Sequence, residues 1–247
     1  MKRTFLFFAG LLITMILHID ADAQAVDKAT VVAELRQAIA PFSDSGYQHL
    51  SLTYRFSYQS KPQVVLDSLA AEYKTWKNKK WYSIDSTETL IDDSIKAVLY
   101  KEDKLIWLGK NTSGHDMLQS FLLLAASITG DTDAVCSRKV LPAGIQYTIL
   151  FKKPAQCREL SFVVSAQGRL VGTRQVVDPR LMTDPETPVA DAPGNDWAII
   201  DVEVNRYADK EVNPADFKLG RWLQKHEAGW QPAAAYAGYR LFNASLK

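Results

Sequence analysis

The sequence predicts an α+β domain that is predominantly β and built on an antiparallel sheet. Three observations predict it. Residues 50–58 alternate without a break: Leu50, Leu52, Tyr54, Phe56 and Tyr58 fall on one side, Ser51, Thr53, Arg55 and Ser57 on the other. That is the period of a strand with one apolar face. Short apolar runs then follow at close spacing, separated by Asn78, by Asp92-Asp93-Ser94 and by Glu102-Asp103. Such spacing indicates a meander and leaves no room for βαβ crossovers. Only two segments carry a helical period.

The N-terminus has the three parts of a secretory leader. Lys2 and Arg3 are a short positive start, residues 5–19 are an apolar run, and Ala21-Asp22-Ala23 is a small-x-small cleavage site. The run is shorter than the roughly 20 residues of a membrane span, which disfavours the alternative of an uncleaved anchor. Ala23-Gln24-Ala25 offers a second cut two residues on, and no cysteine near either cut provides for lipidation. The expectation is a cleaved signal peptide at 1–23 and one β-rich domain at 24–247, exported to the periplasm or secreted. No later segment approaches a transmembrane span. The net charge is +1 with no basic stripe, which argues against a nucleic-acid partner.

Residues 27–40 read as the first helix, with Val31, Leu35, Ala38 and Ile39 on one side and Pro41 ending it. After the strand at 50–58, strands are expected at 69–78, 80–85, 87–91, 95–100 and 105–108. The second helix is expected at 113–128. Ser113 and Asp116 resemble a capping box, Gly130 supplies a stop, and apolar residues wrap most of its circumference, the mark of a helix that is buried or covers an apolar surface. Strands resume at 135–141, 145–151, 160–165 and 170–177, with Gln167-Gly168 as a tight turn. Residues 178–195 hold four prolines and read as a long surface loop. A strand at 197–206, a helical turn at 213–217 and strands at 220–225 and 236–243 complete the chain. In an exported protein Cys136 and Cys157 are candidates for a disulfide. They lie on either side of the expected strand 145–151, and the alternative is two separate buried thiols.

The search for chemistry yields little. There is no phosphate loop, nucleophile elbow or paired-histidine zinc motif, and no cofactor is implied. Ser113, His115 and Asp116 are the residue types of a hydrolase triad, but they sit at a helix start, where Ser and Asp cap the backbone. Glu88, Asp92 and Asp93, and likewise Asp131 and Asp133, lack a calcium-ligand spacing and read as turn residues. His226-Glu227 lacks a second histidine. Lys77, Lys79 and Lys80 between Trp76 and Trp81 read as a strand end with snorkelling lysines. No catalytic or metal residue is therefore assigned. What stands out is apolar: Tyr54, Phe56, Tyr73, Trp76 and Trp107 from the sheet, and Phe121, Leu122 and Leu124 from the second helix, as candidate lining of a cavity for an apolar ligand.

At this point the layout resembles the periplasmic lipoprotein-carrier family of the LolA/LolB type. The resemblance is carried by the helix 27–40 running into the strand 50–58, by Thr87-Glu88-Thr89-Leu90-Ile91-Asp92-Asp93-Ser94 where the family has a Glu, apolar residues and Asp-Gly, and by Ala97-Val98-Leu99-Tyr100, an acidic turn and Leu105-Ile106-Trp107 before an apolar helix. It covers residues 28–165, and Asp93-Ser94 departs from the usual Asp-Gly. The resemblance implies a curved antiparallel sheet, an incomplete β-barrel, with helices packed across its concave side. It implies non-enzymatic binding or carriage of lipid or lipoprotein acyl chains, with such a chain as the partner. A cavity arginine is associated with ligand release in that family; Arg55 is the candidate by position, although its alternation sets it opposite Tyr54 and Phe56. The C-terminal part, ending Tyr236-Ala-Gly-Tyr239-Arg-Leu-Phe-Asn243, is similar to an extension of secreted relatives. The alternatives are an envelope interaction or scaffold protein with a filled core, and a hydrolase using Ser113, His115 and Asp116.

Overall fold

The computed structural model describes residues 23–42, 46–111, 133–152, 156–181, 196–207, 212–227 and 229–244. Helix α1 spans Lys28–Ile39. Its N-cap is Asp27, whose carboxylate accepts from the Thr30 backbone N–H at 2.8 Å and so satisfies one of the helix's orphan donors. The strands in chain order are β1 (Gln24–Ala25), β2 (Gln48–Tyr58), β3 (Asp67–Trp76), β4 (Lys79–Ile84), β5 (Thr87–Ile91), β6 (Ile95–Tyr100), β7 (Leu105–Lys110), β8 (Val135–Leu141), β9 (Gly144–Leu150), β10 (Cys157–Val164), β11 (Leu170–Val177), β12 (Ala198–Tyr207), β13 (Leu223–His226), β14 (Gly229–Pro232) and β15 (Arg240–Ala244).

Thirteen of these form one curved sheet in the order β1-β8-β9-β10-β11-β12-β2-β3-β4-β5-β6-β7-β15. Its pairings are antiparallel except that of β15 with β7, which is parallel. The sheet does not close into a barrel, and β1 and β15 are its two edges. β12, which follows the proline-rich segment, lies between β11 and β2, so residues on both sides of that segment belong to one sheet.

Because side chains alternate along a strand, the register sorts them onto two faces. On the first face Leu50 pairs with Tyr73, and Tyr73 with Tyr82. α1 covers this face, with Val31, Val32, Leu35, Ala38 and Ile39 buried among Leu50, Leu52, Tyr73, Tyr147, Ile149, Leu160 and Phe162. Each fully buried Val, Leu or Ile contributes about 1.5–3 kcal/mol relative to exposure. On the second face Lys74 pairs with Trp81, and Trp81 with Leu90. A separate core forms there: Trp81, Leu90, Ala97, Leu99, Ile106 and Leu108 pack against Phe217, Trp222 and Leu223 of the C-terminal segment. That segment is fastened by charge. Lys74 Nζ lies 2.9 Å from the Asp216 carboxylate. Arg221 lies 3.8 Å from Glu88, which also takes a hydrogen bond from Trp81 Nε1 at 3.0 Å and an ion pair from Lys101 at 2.8 Å.

The C-terminal strands differ from expectation. Residues 219–221 form a 3-10 turn, so β13 begins at Leu223, and a second 3-10 turn at Ala234–Tyr236 delays β15 to Arg240. The expected helix at 113–128 lies outside the described residues. No helix among the described residues is long and apolar enough to cross a membrane.

The cysteines do not meet. Cys136 is on β8 and Cys157 opens β10, with β9 hydrogen-bonded between them, and both thiols are free. Second-neighbour strands are about 9–10 Å apart, beyond the Cα spacing a disulfide spans. Burial pushes the Cys157 thiol up to about 11 and raises that of Cys136, which keeps both protonated and unreactive at neutral pH. Native protein is expected to resist iodoacetamide and to gain two adducts by mass only in denaturant. Rapid native labelling, or an adduct count unchanged until a reductant is added, would contradict this placement.

Candidate functional site

Four of the sheet-side candidates share the first face. Tyr54 pairs with Val202 and Leu69, Phe56 with Ile200, and Tyr73 with Leu50 and Tyr82. Trp107 pairs with Val98 and with Phe242 of β15. A continuous cross-strand row results: Tyr73, Tyr82, Thr89, Val98, Trp107 and Phe242. The Tyr73 and Tyr82 rings stack at 6.3 Å. Phe242, at the sheet edge, is 56 % exposed. Burial pushes the Tyr54 hydroxyl up to about 12, so it stays neutral at physiological pH.

Trp76 does not join them. It lies three residues from Tyr73 on one strand, an odd spacing that turns it to the second face, where its ring meets Phe217 at 5.9 Å. Arg55 is on the second face as well, paired to Glu203 at 2.8 Å. Phe121, Leu122 and Leu124 lie outside the described residues, as do Ser113, His115 and Asp116.

Gly109 belongs to the site and was not singled out from the sequence. A Cβ on it would sit 2.4 Å from the Trp107 indole. The ring therefore lies flat along β7 over the glycine and presents its other side to the face. A Trp-x-Gly spacing within a strand is the signal that finds this arrangement, because residues two apart share a face and a strand glycine marks close approach.

Two hollows adjoin the β8–β9 turn. A cleft of about 830 Å³ on the α1 side is lined by Glu34, Tyr147 and the turns at 141–144 and 165–168. A smaller one of about 370 Å³ is lined by Ser161, Gly172, Arg174, Asp201 and Glu203. Neither is lined by the five sheet-side candidates.

Comparison with known proteins adds the following. No family model and no curated protein matches the chain. Among solved structures it is similar to an uncharacterized conserved protein from Thermus thermophilus (10 % identity, 87 % of this chain and 99 % of that one, TM-score 0.47). It is also similar to a DUF1329 family protein from Desulfovibrio piger (10 %, 79 % and 99 %, TM-score 0.38). A third is a LolA superfamily protein from Nitrosomonas europaea (10 %, 78 % and 98 %, TM-score 0.31). The structural neighbours include the LolA kind that the sequence resembles.

The acidic and basic groups of the sequence resolve into structural roles. Asp92 accepts from the Ser94 and Ile95 backbone N–H groups and shapes the β5–β6 turn, while Glu88 is buried on the second face beside Trp81. They do not form one site, and no cluster of metal-ligating side chains occurs among the described residues. Lys77 lies over the Trp76 ring at 4.8 Å, as a snorkelling lysine does. His226 and Glu227 are exposed at the β13–β14 hairpin.

Proposed function

We propose that this protein is a non-enzymatic binder or carrier of lipid or lipoprotein acyl chains, working in the cell envelope after export under the leader at residues 1–23. The observation that carries the proposal is the first-face row. Tyr73, Tyr82, Thr89, Val98, Trp107 and Phe242 run across successive strands from the α1 core to the exposed edge, and Tyr54 and Phe56 share that face farther along β2, four and six residues beyond Leu50, which pairs with Tyr73. An acyl chain gains about 0.8 kcal/mol per methylene buried. A long chain thus gains roughly 10 kcal/mol before association costs are subtracted, and no charged or catalytic group is needed.

Organic extracts of the purified protein are expected to contain co-purified acyl lipid by mass spectrometry, and delipidated protein to take up a fluorescent fatty acid. Lipid-free protein that takes up none would overturn the proposal.

A second reading, an envelope scaffold with a filled core, is favoured by one observation. All five buried side chains of α1 are between 0 and 3 % exposed, so the contact of α1 with the sheet holds no guest. That reading predicts no uptake and crosslinking to an envelope protein instead.

A further inference from the structure

We propose that the hollow of about 370 Å³ on the second face of β9–β12 binds a neutral sugar unit, free or carried on a larger molecule. Two features of β11 recess the sheet there. The register with β10 shifts between Val163 and Val164, which leaves Val171 as an extra, bulged residue. A bulge re-aims a side chain, and bulges recur beside binding sites. Gly172 follows it, in a row with Gln146, Val163 and Glu203 across four strands. A Cβ on Gly172 would lie 2.8 Å from the Val202 carbonyl oxygen, which keeps the position glycine and leaves a gap in the row. The next row on this face is Ser161, Arg174 and Asp201. Ser161 lines the hollow and is 1 % exposed, and its hydroxyl has no hydrogen-bond partner among the described residues. Buried hydroxyls ordinarily have one, and a ligand hydroxyl in the recess supplies it.

The charges of the lining select the class. Arg174 Nε and Nη2 donate to the two Asp201 oxygens at 2.7 and 2.8 Å, and Arg55 holds Glu203 at 2.8 Å. The Asp201 hydrogen bond foremost, with Glu159 adding to it, keeps the Arg174 guanidinium above its ordinary value. Lys139 stands opposite Gln146 on β8, so the surroundings carry both signs. A charged ligand has to displace one of these partners, whereas a neutral one adds to them. The pairs still offer both kinds of group. Arg174 has N–H groups beyond the two that Asp201 takes, carboxylate oxygens accept more than one hydrogen bond, and the Gln146 amide donates and accepts. A hydroxyl is donor and acceptor at once, so adjacent ring hydroxyls match such neighbours. Leu141, Val163 and Val171 line the hollow as well and suit the C–H side of a ring. The volume lies within the range of about 300–1,000 Å³ usual for small-molecule sites.

The inference is independent of the acyl-chain proposal, because the aromatic row is on the opposite face of the sheet. The test is NMR titration of the whole protein with glucose, galactose and mannose, with their uronate and amino-sugar counterparts, and with the octyl glycosides below their micellar concentrations. At least one hexose is expected to bind at least fivefold more tightly than its charged counterparts. Octyl glycoside affinity within twofold of the free sugar supports recognition of the sugar alone; tighter binding supports a sugar carried on a lipid. S161A, which removes a buried hydroxyl, and Q146L should each weaken the hexose at least threefold with no fall in denaturation midpoint. Val171→Trp, which fills the recess, should abolish hexose binding and leave fatty-acid uptake intact. No binding of any of the three hexoses, equal binding of the charged forms, or hexose binding unchanged in both S161A and Q146L would overturn the proposal. Loss of fatty-acid uptake alone would bear only on the acyl-chain reading.

Discussion

Replacement of Trp222 by alanine is expected to cost about 3–5 kcal/mol, a large part of the 5–15 kcal/mol by which a domain is ordinarily stable. Trp222 is fully buried and sits between Phe217, Leu223 and the second-face side chains of the sheet. Truncation leaves a cavity in the contact that holds the C-terminal segment to the sheet. The same residue permits a sharper test. Its Nε1 is buried without a hydrogen-bond partner among the described residues, and an unpaired buried donor costs about 1–3 kcal/mol. Trp222→Phe removes that donor and keeps an aromatic ring, so the relief of the unpaired donor, about 1–3 kcal/mol, offsets the smaller cavity it leaves and the loss is expected to fall well below that of the alanine variant. Urea midpoints of the two variants measure the difference. Equal and large losses would show that the indole N–H has a partner; equal and small losses would show that the C-terminal segment is not part of the core.

Gly144→Ala is the second large effect. At φ +145° a side chain strains the backbone by roughly 1–3 kcal/mol. The added carbon also meets the Val164 carbonyl oxygen at 2.0 Å, and a backbone atom cannot turn aside as a side chain does. Overpacking of this kind adds about 1–3 kcal/mol, for a total of about 2–6 kcal/mol. Gly168 is the control. It also has a positive φ, +74°, but a Cβ there meets nothing within 4 Å, so Gly168→Ala should show the backbone strain alone. If the two substitutions cost the same by chemical denaturation, the close approach of the β8–β9 turn to β10 is wrong.

Much of the architecture is legible in the sequence because strands announce themselves by parity. The alternation of residues 50–58 is carried unchanged into β2, and the expected ranges 87–91, 95–100, 135–141 and 170–177 coincide with β5, β6, β8 and β11. The first helix begins where Asp27 can cap it. Sheet order was not legible. Nothing local tells β12 to enter between β11 and β2, or β15 to pair in parallel with β7, because these are long-range choices made by whole faces seeking cover. Of the two readings left open for the cysteines, a disulfide and two separate thiols, the structure has the second, because β9 lies between Cys136 and Cys157. The C-terminal core was hidden because Phe217, Trp222 and Leu223 lie in 3-10 turns and short strands, where neither period 2 nor period 3.6 applies. Of the site, the sharing of one face by Tyr54 and Phe56 was readable, and so was its converse. Tyr73 and Trp76, three apart on a strand, cannot both face one surface, and parity alone would have separated them.

The first face of the sheet is proposed to hold an acyl chain. This is tested most directly with a fatty acid bearing a photoreactive diazirine on its chain, irradiated with the delipidated protein and followed by peptide mapping. Adducts are expected on first-face residues of β2, β3 and β7, Trp107 foremost, competed away by unlabelled fatty acid. Adducts confined to the second face, or none above the level of denatured protein, would contradict it.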